Sequence, residues 1–359
     1  MQAKGALALA AAAAVSAVVA AAVAFTGGPA AIDPLVGKPV LPKVAPELAD
    51  VAKVVLLHAG NTITFVQQDK VWKVAEKDDY PADPAKIRKM LLGLAEISFV
   101  EPKTAQSSLY HRLNLGDPSQ PKAQSTSVQV FDAKGGVLGS VIVGKRRIDE
   151  LGGGNDGVYI RLPGEPRTWL ARGTLDLDGD VTQWLDRSIA DIKEARIKEA
   201  VIHEADGTTL TISRDKPEDK FALKELPAGR KLKSDTTLVE PATILQGFEL
   251  TDVKAAKNLT QPQDGLTKAD YTTFDGLTVH ATLAKQGTED WVRLSADASD
   301  DKAKSEAVKL AARWNPWVYG IPSYKADAIH PKLEDLLEPL PAKPAAGQSS
   351  PAPSPPKAQ

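Results

Sequence analysis

Residues 54–76, VVLLHAGNTITFVQQDKVWKVAE, alternate apolar and polar positions in three short runs separated by turn residues. That period of two is the mark of half-buried strands. At Asp83-Pro84 the period changes. Ile87, Met90, Leu91 and Leu94 fall at helical spacing, behind an N-cap residue and a proline at the first helical position. Residues 97–103, ISFVEPK, read as a strand leaving that helix.

The same order returns later. Residues 200–225, AVIHEADGTTLTISRDKPEDKFALKE, again give three strand-type runs. Leu238, Ala242, Leu245 and Phe248 stand at helical spacing after Ser234-Asp235, and residues 249–257 read as the strand that follows. Residues 127–144 predict a hairpin turning at Lys134-Gly135-Gly136, and residues 277–296 predict another turning at Lys285-Gln286-Gly287. Residues 168–189 and 317–340 close the two halves alike, with an aromatic strand and a short amphipathic segment. The expected fold class is therefore α+β, built as two tandem repeats over 51–192 and 193–340. Each would be a mainly antiparallel sheet with one or two packed helices.

Two flanking regions have a different pattern. Residues 5–25 carry no charge and follow Lys4. A run of about 20 apolar residues spans a bilayer core, and the positive charge before it directs the rest of the chain outward. The expectation is a transmembrane helix anchoring a single-pass protein in a bacterial inner membrane, with the C-terminal part in the periplasm. Ala22-Val23-Ala24 also fits a signal-peptidase site, so a cleaved signal segment stays open. Residues 26–50, rich in Pro and Gly, predict a tether. Residues 341–359, rich in Pro, Ala and Ser, predict a disordered tail.

Composition removes several chemistries. The chain has 359 residues, a net charge of −2 and no cysteine. Disulfides, thiol nucleophiles and Cys-ligated zinc are excluded, and no basic stripe points to nucleic acid. LGGGNDG at 151–157 precedes a strand and not a helix, so it reads as a hairpin loop and not as a phosphate loop. Asp176, Asp178 and Asp180 alternate, but an EF-hand loop would need Gly and Glu where Val181 and Arg187 stand. They read instead as caps of the helix carrying Trp184. The five histidines, His58, His111, His203, His280 and His330, show no i, i+4 pair. Ser299-Asp300-Asp301-Lys302 matches S-x-x-K, but it lies in a charged run that reads as a loop, without the companion motifs of a serine acyl enzyme. Gly144-Lys145-Arg146-Arg147 reads as a solvated hairpin end. No catalytic residue, cofactor or metal is expected.

The VWKVAE strand, the YPADPAKIRKMLLGLAEI helix, Leu115-Gly116, the Val-Tyr-Ile-Arg strand and the closing WVYGIPSYKADAI together resemble the bacterial domain-of-unknown-function family numbered 4340. The resemblance covers most of 51–340. It implies an envelope protein anchored by one N-terminal helix. For some members it implies a place beside gliding-type ABC transporter components. It implies no catalytic residues. The leading expectation is a non-enzymatic, membrane-tethered periplasmic scaffold or accessory protein with a protein partner, in an ABC-type transport or envelope assembly. The alternative is a glycan- or peptide-binding module with a site between the two repeats, using Trp314, Trp317 and Tyr324 as stacking rings.

Overall fold

The computed structural model describes residues 33–148, 156–258 and 265–339. The predicted membrane segment at 5–25, the tail at 341–359 and nearly all of the 151–157 loop lie outside those residues. Among the described residues, no helix is long and apolar enough to cross a membrane.

The chain divides between Asp186 and Arg187 into two compact units. The sequence placed this boundary at 192/193. It falls earlier because Ser188–Ala190 pairs with Phe248–Glu249 and so belongs to the second unit.

The first unit is a nine-stranded antiparallel sheet. Its strands are β1 (Val51–His58), β2 (Asn61–Gln68), β3 (Val71–Val74), β4 (Tyr80–Pro81), β5 (Ser98–Pro102), β6 (Thr126–Asp132), β7 (Val137–Arg147), β8 (Gly157–Arg161) and β9 (Thr168–Arg172). They lie in the order β4-β3-β2-β1-β6-β7-β8-β9-β5. Helix α1 (Pro84–Glu96) forms where the sequence places it. Asp83 Oδ1 accepts from the backbone N–H of Ala85 at 2.8 Å and of Lys86 at 3.2 Å, which satisfies two otherwise orphaned donors. Ile87, Met90 and Leu94 bury one face. Gly93 allows that helix to come close to the chain beyond β9, since a Cβ there would stand 2.7 Å from the carbonyl oxygen of Thr174.

Residues 33–50 are not the extended tether their composition predicts. Val40, Leu41 and Val44 are buried, and Val44 and Leu41 pack where Gly139 leaves room on β7. Backbone hydrogen bonds run from Gly37 and Val40 to the carbonyls of Phe99 and Ile97, at 2.8 and 2.9 Å. The segment thus covers the free edge of β5, which would otherwise present unpaired backbone groups. Three apolar side chains outweigh the Pro/Gly signal.

The second unit begins with β10 (Ser188–Ala190), β11 (Ile197–His203), β12 (Thr209–Ser213), β13 (Ala222–Leu223), β14 (Phe248–Glu249) and β15 (Asp252–Ala255). It continues with β16 (Thr267–Thr273), β17 (Leu277–Gln286), β18 (Glu289–Ala298) and β19 (Trp317–Ile321). Eight of these form one antiparallel sheet in the order β13-β12-β11-β16-β17-β18-β19-β15. Read strand by strand, this is the order β3-β2-β1-β6-β7-β8-β9-β5 of the first unit. The counterpart of the 127–144 hairpin is therefore β16–β17, and not the 277–296 hairpin that the sequence pairs with it.

The helices of this unit depart from expectation in two ways. The run from Leu238 to Phe248 is helical only in α2 (Val239–Ala242). Gly247 adopts φ +57° just before β14. The charged stretch at Ser299–Lys302, read as a loop, opens a 14-residue helix instead: α3 (Asp301–Trp314), with the Asp300 side chain accepting from Lys302 N at 3.0 Å. Two further helices, α4 (Ser323–Ile329) and α5 (Leu333–Leu336), follow β19. A buried Arg214 ties the start of the sheet. It donates to the carbonyls of Ile197 at 2.9 Å and Pro217 at 2.8 Å and also to that of Glu194, while lying over the Phe221 ring.

Candidate functional site

The strand registers bring four polar residues to one end of the second sheet. Along β11, Ala200 and Ile202 point into the core, so the next position of that phase is Glu204. His203 pairs with Lys268, which sets Glu204 beside Thr267 at the start of β16. Thr267 pairs in turn with Leu283 on β17, and Lys285 pairs with Asp290 on β18. Helix α4 ends at His330, its C-terminal cap, above this row. The phase that elsewhere carries apolar side chains thus carries carboxylates at both flanks.

Around His330 the hydrogen bonds converge on one ring nitrogen. Thr267 Oγ1 donates to Glu204 Oε2 at 3.0 Å and stands 3.1 Å from His330 Nδ1. His330 Nδ1 also pairs with the same Oε2. An ionised carboxylate only accepts, so in this pairing Nδ1 is the donor. The Glu204 side chain is 7% exposed, and its second oxygen, Oε1, has no partner among the described residues. These residues edge a cavity of about 330 Å³ whose lining includes Thr267, Leu283, Lys285, Asp290, Ala326 and His330. Asp290 is 8% exposed, and its carboxylate makes no hydrogen bond or ion pair with another described side chain.

The three aromatic residues proposed from sequence do not share one environment. Trp314 is fully buried at the end of α3, and its indole N–H donates to the Ile189 carbonyl at 2.9 Å. Trp317 is half-buried at the start of β19. Tyr324, 62% exposed, lies on α4 next to Ser323 and one turn from Asp327, both of which line the cavity.

The other polar features serve the fold. Asp180 caps the short helix Val181–Trp184, accepting from Thr182 N at 2.9 Å, and Trp184 Nε1 donates to the Asp178 carbonyl at 2.9 Å. Asp176 pairs with Lys89 at 3.2 Å and Arg146 at 3.8 Å. Arg146 also meets Asp156 at 3.3 Å, so the basic cluster is partly neutralised within its own unit. His58 bonds Thr126 Oγ1 at 3.0 Å, His203 bonds Thr209 Oγ1 at 3.1 Å, and His111 lies exposed on a short helix. His280 lies between Asp270 at 2.7 Å and Asp297 at 2.9 Å. Among the described residues no three His, Asp or Glu side chains are grouped to hold a metal ion.

The model of the family described as domain of unknown function (DUF4340) matches residues 72–275, more than half of the chain. The chain belongs to this family. The matched span contains α1, Glu204 and Thr267, whereas Asp290 and His330 lie beyond it. No curated protein matches the chain.

Sequence reasoning passed over the cavity residues. The available signal was phase: Glu204 continues Ala200 and Ile202, and Asp290 precedes Val292 and Leu294 on the inward face. A carboxylate on an apolar phase is costly unless something pairs with it.

Proposed function

We propose that this family member is a non-enzymatic, membrane-tethered protein of the bacterial envelope, a scaffold or accessory subunit that works by binding. The observation that carries this reading is the hydrogen bonding at His330. A hydroxyl nucleophile needs a base on one imidazole nitrogen and an orienting acid on the other. Here Thr267 and Glu204 share Nδ1, an arrangement unlike that triad and suited to a fixed polar wall. A pocket of a few hundred Å³ with a few converging polar groups is the usual form of a binding site.

The tether rests on the uncharged run at 5–25 behind Lys4. A tandem duplication is supported by the matching strand orders of the two units. The setting beside an ABC-type transport or envelope assembly comes from the family resemblance. In-cell crosslinking of the full chain with mass spectrometry tests the proposal. Crosslinks from Lys285 or Lys325, beside the cavity, to an envelope protein are expected. Intramolecular crosslinks alone would contradict it.

A further inference from the structure

We infer that the cavity of the second unit takes a primary ammonium group on a short alkyl chain. The assignment rests on the reading of that cavity as a binding site and names its ligand class. Three observations converge on it.

The first is an excess of acceptors. Asp290 lines the cavity at 8% exposure with no donor to its carboxylate among the described residues, and behind the wall Glu204 Oε1 is buried without one. An ammonium brings three donors and no acceptor, which matches such a lining. A hydroxyl or carboxylate ligand would leave these acceptors facing one another.

The second is charge. Asp290 and Asp327 line the cavity and Glu204 stands behind its wall, against one lysine, Lys285, and the His330 ring. Lys285 is exposed and stands opposite Asp290 in the strand register, yet no ion pair joins them. An entering cation gives the Asp290 carboxylate, at the cavity wall, a charge-assisted partner.

The third is size and lining. About 330 Å³ holds a small molecule or one side chain. Leu283 and Ala326 supply apolar wall for an alkyl stem.

Calorimetric titration of the full chain in mild detergent, with butylamine, 1-butanol and butyrate as probes, tests the assignment. Saturable binding of butylamine alone is expected, weakened at least about tenfold in Asp290→Asn by loss of the charge-assisted contact. Lys285→Met, at an exposed position, should bind it more tightly by removing a competing cation. Nα-acetyl-lysine amide separates the sources: tighter binding than butylamine points to a lysine side chain, weaker binding to a free small amine. Saturation by 1-butanol or butyrate instead of the amine would overturn the ammonium assignment and leave the binding role standing. So would an unchanged affinity in both variants. Saturation by none of the probes would overturn both.

Discussion

His280 shows how single residues carry charge across this sheet. Burial alone lowers an imidazole pKa, but the hydrogen bonds and charges of Asp270 and Asp297 outweigh it and hold His280 above its ordinary value. Because the folded value lies above the unfolded one, near 6.5, the protonated ring stabilises the fold fully below that pH. The contribution disappears as pH rises through the folded pKa. Melting temperatures of wild type and His280→Gln, followed over roughly pH 5 to 9, should therefore differ most at low pH and converge at high pH. A pH-independent difference would contradict this. Sequence alone shows the five histidines but not this pairing, which depends on a three-strand register. Glu204 and Asp290 were more accessible to reading, since both break an apolar phase. What remained hidden was that one helix end, at His330, closes over them.

Elements divide by how local their causes are. Helix α1 was legible because cap, proline and apolar spacing all lie within 13 residues. Asp83→Ala, which removes the side-chain acceptor for Ala85 N and Lys86 N, should cost about 1 kcal/mol. Denaturant midpoints measure it, and an unchanged midpoint would contradict the capping role. Helix α3 was missed because its buried face is built from Ala303, Ala307 and Trp314, so its apolar stripe is faint beside its charges. Arg196 explains why that helix is nonetheless fixed. It donates to both carboxylate oxygens of Glu306 at 2.9 and 2.7 Å, and it also reaches Asp275. In the other direction, the apolar spacing from Leu238 to Phe248 predicts a helix that lasts only one turn, with Gly247 at φ +57° just before β14. The hairpin at 277–296 was correctly seen, but its partner in the first unit was misassigned. Turn composition resembles turn composition wherever two strands meet, and only the full strand order separates β16–β17 from β17–β18.

At the scale of the molecule, antiparallel sheets were legible because alternating strands joined by hairpin turns lie along most of the chain. Eight strands follow the same order in the two units. Side chains at the sheet ends are free of that constraint. The first unit carries His58 at the end of β1, bonded to Thr126 at the start of β6. At the equivalent junction of β11 and β16, the second carries Glu204, Thr267 and His330. Similar strand orders thus frame a quiet junction in one unit and an acidic cavity in the other. The central claim is that the chain binds through that cavity in its native setting. Hydrogen–deuterium exchange of the full chain, compared between its native membranes and the purified state, tests this most directly. Slower exchange in the native membranes, centred on α4 and the turn between β17 and β18, is the predicted result. Equal exchange there in both states would contradict it.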